Sequence, residues 1–120
     1  MSDGEQRSFA KRYLEAKKIA MLNDALRKTG LGGQLVITSG VSALPDFDPR
    51  NLFVALATFD GFDEGNDPYG ERDFGDLELC GQTLLWKTDY YDNELEQASS
   101  DPADPLMTTR VLTVMLEQEY

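Results

Sequence analysis

Asp104-Pro105-Leu106-Met107-Thr108-Thr109-Arg110-Val111-Leu112-Thr113-Val114-Met115-Leu116 is the stretch on which the fold turns. Aspartate followed by proline is a strong helix start, because the carboxylate accepts from free N–H groups and proline presets the first helical φ. Read that way, a helix runs from Asp104-Pro105 to about Gln118, with Val111, Leu112, Met115 and Leu116 facing inward. Glu117 and Glu119 then fall at its C-terminal end, where the helix dipole disfavours negative charge.

The same device at Asp48-Pro49 opens a second helix with the apolar stripe Leu52, Phe53, Leu56 and Phe59. A strand over Phe53 to Phe59 competes for this short run, and the cap decides for helix. Between these helices lie two strands. Asp76-Leu77-Glu78-Leu79-Cys80 alternates polar and apolar, and Thr83 to Tyr90 follows a two-residue turn at Gly81-Gln82, which makes an antiparallel hairpin. Gln34-Leu35-Val36-Ile37-Thr38 reads as a third strand, closed by Ser39-Gly40 and joined to the hairpin. Residues from about 5 to 28 read as a helix, with Phe9, Tyr13, Ala16, Ile19, Leu22 and Leu26 along one side and Lys11, Lys17, Lys18 and Lys28 largely on the other. Thr29-Gly30 stops it. The expected fold is α+β, order α-β-α-β-β-α: a three-stranded antiparallel sheet with three helices packed around it, as one domain over residues 1–120.

Composition excludes much chemistry. The chain has no histidine, which removes Ser-His-Asp and Cys-His catalysis and histidine-ligated metals. A single cysteine, Cys80, removes an internal disulfide and a structural zinc site. Cys80 reads as a small buried hydrophobe, with an intermolecular disulfide on oxidation as the alternative. Leu31-Gly32-Gly33 lacks the Lys-Ser/Thr of a phosphate loop. No cofactor is expected. No apolar run is long enough to span a membrane, and Met1-Ser2-Asp3-Gly4 opens no apolar signal segment, so the expected location is the cytoplasm.

Charge is segregated. Residues 1–29 carry seven Lys/Arg and four Asp/Glu; the remainder carries four Lys/Arg and eighteen Asp/Glu. Between Asp60 and Asp104 fourteen carboxylates face only Arg72 and Lys87. Such a field repels nucleic acid and attracts basic surfaces, so direct nucleic-acid binding is not expected and a basic protein partner is. Plain solubility is the competing account of the acidity.

Two clusters could carry chemistry. Asn66-Asp67-Pro68-Tyr69-Gly70-Glu71-Arg72-Asp73 is dense in oxygen ligands for a hard cation, but its spacing is not that of an EF-hand. An Asx-rich turn in which carboxylates cap backbone N–H groups and Arg72 pairs with a neighbouring acid is the preferred reading. On a strand, Trp86, Thr88 and Tyr90 share one face and Lys87, Asp89 and Tyr91 the other. Acidic surroundings raise the pKa of Lys87, so a salt bridge suits it better than catalysis.

Leu22-Asn23-Asp24, Asn66 to Glu71, Asp73-Phe74-Gly75, Trp86-Lys87 with Asp89-Tyr90-Tyr91-Asp92, and Asp101 to Pro105 with Thr109-Arg110-Val111-Leu112-Thr113 resemble a bacterial family known only as a domain of unknown function. The likeness runs from about residue 17 to Tyr120. Members usually carry histidine where this chain has Arg72, and the resemblance implies no activity.

The favoured function is a non-enzymatic acidic inhibitor that imitates DNA. It would occupy the basic groove of a nucleic-acid-binding protein or complex, such as a bacterial CRISPR or restriction system, as a monomer or dimer. Expected contacts are Asp63, Glu64, Asp67, Glu71, Asp73, Asp76, Glu78, Asp89, Asp92, Glu94 and Glu96. The alternatives are a carboxylate- or divalent-metal-dependent enzyme centred on Asp67, Glu71, Asp73 and Asp89, and an accessory domain whose acidity serves solubility alone.

Overall fold

A computed structural model describes residues 3–120, with side chains described from Ser8 onward. The chain runs α1 (Asp3–Thr29), β1 (Gly33–Ile37), α2 (Ser39–Ser42), α3 (Pro49–Thr58), β2 (Phe74–Leu79), β3 (Gln82–Tyr91) and β4 (Thr109–Leu116), then a 3-10 turn over Glu117–Glu119. It is α+β, with a four-stranded mixed sheet in the order β1-β4-β3-β2.

The expected last helix is therefore a strand, and the sheet is not the three-stranded antiparallel one. Asp104 does accept from Leu106 N at 2.9 Å, and Met107 N reaches Asp104 O at 3.2 Å, but this closes a single turn. From Thr109 the residues are β-branched at alternate positions, and Arg110, Leu112 and Val114 all point inward. A period of two wins because β4 has neighbours on both edges. It pairs parallel with β1 (Gly33 opposite Arg110) and antiparallel with β3 (Trp86 opposite Val114). β1 accordingly joins β4 and not the hairpin. Glu119 is no helix-end liability: its Oε1 accepts from Leu116 N at 2.7 Å and from Thr38 Oγ1 at 2.8 Å.

At Asp48-Pro49 the same device does open a helix. Asp48 accepts from Arg50 N at 2.9 Å, and Leu52 and Leu56 are buried one turn apart. Gly30 ends α1 at φ +76° with its N–H on Leu26 O. The hairpin turn is Cys80-Gly81, one residue earlier than expected, with φ of +54° and +73°. That turn leaves Cys80 exposed, which corrects its reading as a buried hydrophobe.

One face of the sheet holds the core. Leu77, Leu84, Trp86, Leu112 and Val114 meet Leu26 of α1, Val41 of α2, and Leu52 and Leu56 of α3. Full burial of each such side chain favours folding by about 1.5–3 kcal/mol. Trp86 packs edge-on against Phe59 and Phe62, with ring centroids 5.5 and 5.9 Å away. Gly75 lets β2 pass this cluster: a Cβ there would lie 2.7 Å from both Phe59 and Trp86 Nε1. Only the C-terminal turns of α1 reach the core. Phe9 and Tyr13, expected on its packed side, are exposed.

Candidate functional site

Three residues far apart in sequence, Glu71, Tyr90 and Arg110, meet at one side chain. Asn23 is buried in α1. Its Nδ2 donates to the Glu71 carbonyl at 3.0 Å and to Tyr90 Oη at 2.8 Å. Its Oδ1 accepts from Arg110 Nε at 3.0 Å. Tyr90 Oη donates to Glu71 Oε1 at 2.8 Å, and Arg110 Nη2 donates to the Pro102 carbonyl. The Arg110 guanidinium stacks on the Tyr90 ring, 5.3 Å from its centroid. Burial pulls Arg110 below its ordinary pKa, and burial followed by the Glu71 charge pushes the Tyr90 phenol far above its own. Tyr90 is thus locked as a neutral donor.

A second set of bonds ties α1 to the 60–73 loop. Arg27 is buried, and its Nη1 donates to Leu56 O at 2.6 Å and Phe59 O at 3.2 Å, at the C-terminal end of α3, where the dipole favours a cation. Asp24 Oδ1 lies 3.0 Å from Arg27 Nη2 and 3.3 Å from Arg72 Nε. Phe62 takes two cations, Arg72 at 4.4 Å and Arg27 at 5.4 Å from its ring centroid. Within the loop, Asp63 Oδ1 accepts from Gly65 N at 2.8 Å and Asn66 N at 3.0 Å, and Asp67 Oδ1 accepts from Arg72 N at 2.9 Å. The Asx-rich turn is present, but the acid that pairs with Arg72 is Asp24 on α1 and not a neighbour in the loop. Arg72 sits at φ +57°, in the left-handed region.

Two clefts flank this scaffold. The larger, about 670 Å³, lies between α1 and the loop and is lined by Tyr13, Lys17, Asp24, Phe62, Tyr69 and Arg72 among others. The smaller, about 450 Å³, opens beside β3 where β2 begins, bordered by Asp73, Phe74, Lys87, Thr88, Asp89 and Tyr120. There Lys87 Nζ binds Asp89 at 2.9 Å, and this bond first of all raises the lysine pKa. Asp73 is raised above the ordinary carboxylate value, mainly by burial and then by the Glu71 charge. Among the described residues no group of three or more Asp, Glu or Cys is placed to hold a metal ion.

The eleven expected contact acids divide by their surroundings. Glu71 belongs to the Asn23 network and Asp89 to an ion pair. Asp63, Asp67 and Asp92 cap backbone N–H groups, and Asp73 is half-buried. Asp76 and Glu78 project from β2, an outer strand of the sheet, and Glu64, Glu94 and Glu96 are exposed on loops. Asn23, Arg27 and Arg110 carry no expected role in the sequence reading. A polar residue four positions beyond Ile19, on the packed side of α1, is the signal that marks Asn23.

Residues 37–119 match a family model described as a protein of unknown function (DUF3768), and the chain belongs to that family. The Leu22-Asn23-Asp24 group precedes the matched segment. Neither the curated proteins nor the solved structures contain a match.

Proposed function

We propose that this family member is a non-enzymatic interaction domain that presents an acidic surface to the basic groove of a nucleic-acid-binding protein, in the manner of a DNA mimic. One observation carries the reading. Of the fourteen carboxylates between Asp60 and Asp104, Asp89 is the one that an ion pair neutralises among the described residues. The remainder have no Lys or Arg ion-pair partner among the described residues, and the loops that bear many of them are pinned by Asx bonds and by the Asn23 network. Fixed, uncompensated charge is what an electrostatic competitor of a phosphate backbone needs. Asp76 and Glu78 on the outer strand β2, with Glu64 nearby in sequence, form the surface proposed for contact. The titratable groups at the centre of the scaffold are bonded to one another, which suits a framework more than an active site. Nuclease complexes of the restriction or CRISPR type are the partner class to test first.

The test is capture of purified candidate nucleases and of lysate proteins at low and high salt, with DNA as competitor. Asp76→Lys with Glu78→Lys serves as the control. The expected result is capture that DNA and salt both reverse and that the control loses without a change in melting temperature. Capture that survives DNA and charge reversal overturns the reading.

Asp73 favours one second reading. A half-buried carboxyl with a raised pKa beside a cleft is a general-acid candidate. Its test is a hydrolase substrate screen against Asp73→Asn.

A further inference from the structure

α1 packs on the body only through its C-terminal turns. Its buried residues are Ile19, Ala20, Asn23, Leu26 and Arg27, and none over Ser8–Lys18 is buried. A few turns of helix without tertiary support are marginal in water. This segment nevertheless carries Leu14 at 64 % exposure, and one heptad on, in the packed part of the helix, Met21 is 72 % exposed. Lys11 and Lys18 stand three residues before and four after Leu14, on the same face. The face is apolar along its middle, with two lysines against the single acid Glu15 along one side, and its residues Leu14 and Met21 are exposed.

The opposite combination sits at the far end of β3 and β4. Leu106 is 84 % exposed, the highest value for a large apolar side chain among the described residues, and Leu95 and Met107 are exposed with it. Asn93 Nδ2 donates to Leu106 O at 2.7 Å and so holds the 92–97 and 101–107 loops together. Ser99 and Thr108 hydroxyls, 2.7 Å apart, tie them again. Asp92, Glu94, Glu96, Asp101 and Asp104 surround these apolar groups in sequence, and no Lys or Arg lies between Lys87 and Arg110. The platform is rigid, apolar at its centre and wholly acidic in its charges.

We propose that the chain forms a homodimer in which the Leu14–Met21 face of α1 of each copy lies on the Leu95–Leu106 platform of the other. The two surfaces match in kind, apolar centre on apolar centre, and in sign, Lys11 and Lys18 against Glu94 and Glu96. A two-fold axis makes each contact twice and closes the assembly. Asp76 and Glu78 take no part, so the proposal stands or falls separately from the acidic-surface function.

Sedimentation equilibrium of the full chain over a wide concentration range, at low and high salt, tests it. The wild type should dimerise reversibly and dissociate with rising salt. Lys11→Glu with Lys18→Glu should weaken association by at least about tenfold, and Glu94→Lys with Glu96→Lys likewise, because attraction becomes like-charge repulsion. Neither pair removes a buried group, and circular dichroism checks that both variants fold. An equimolar mixture of the two variants should restore a dimer, since each arm then meets a platform of opposite sign. A wild type that stays monomeric throughout overturns the proposal. So do variants that still self-associate, or a mixture that does not pair.

Discussion

Arg110 Nε donates to Asn23 Oδ1 at 3.0 Å across eighty-seven residues of sequence. This bond joins the helix that opens the described chain to the strand that sits inside its sheet. It leaves a buried guanidinium whose other partners are a backbone carbonyl and an aromatic ring. Removing one member of such a network strands the others without water. Asn23→Ala should lower stability by about 2–4 kcal/mol, and Tyr90→Phe, which deletes one hydroxyl, by about 1–2 kcal/mol. Urea unfolding of the two variants and their double mutant measures both losses and their coupling.

Gly75→Ala should destabilise by about 1–3 kcal/mol, because its methyl group would push Phe59 and Trp86 apart. The near-ultraviolet circular dichroism of Trp86 should weaken in step. A variant as stable as the wild type would show that the aromatic cluster shifts freely.

Cys80 occupies a positive-φ position in a two-residue hairpin turn that favours asparagine. Cys80→Asn should therefore raise stability by about 0.5–1 kcal/mol. Under oxidant the exposed thiol should give a covalent dimer that Cys80→Asn abolishes, which non-reducing electrophoresis reads directly.

Asp73 has a folded-state pKa above its ordinary 3.8, so the native state holds its proton more tightly than the unfolded chain does. Its contribution to stability falls as pH rises from about 3.8 through the raised value. Asp73→Asn should flatten that part of the pH profile and be the more stable protein at neutral pH. Thermal melts at several pH values decide it.

Arg72→His introduces the residue expected of the family at this position. Histidine tolerates the left-handed backbone that Arg72 adopts there. Beside Asp24 its imidazolium is favoured, so its pKa rises above about 6.5. The sign follows: the added stability is complete at acid pH and is lost as pH climbs through the raised pKa. A melting temperature that does not move between pH 5 and pH 8 would rule this out.

The two Asp-Pro pairs show what sequence carries. In both, the aspartate accepts from the N–H two residues on, at 2.9 Å. At Asp48 the apolar residues that follow are spaced for a helix face and fill the core from α3. At Asp104 they alternate, and strands β1 and β3 stand ready on either side. The cap was legible, but the sheet that claims the next segment is a tertiary fact. The candidate site divides similarly. The Asx turns of the 60–73 loop and the Lys87–Asp89 pair lie within a few residues and could be read. Convergence on Asn23 needs partners forty-eight, sixty-seven and eighty-seven residues away, which no local pattern encodes.

The placement of β4 also governs the order in which the molecule can assemble. Among the described residues β1 pairs with β4 alone, and β3 has only β2 until β4 inserts between β1 and β3. While the ribosome is still upstream of Thr109, the nascent chain can hold its helices and a lone hairpin, but not the sheet. Closure of the sheet therefore waits on β4, and a slow codon or a chaperone acting before Thr109 emerges would meet the helices and the hairpin without it.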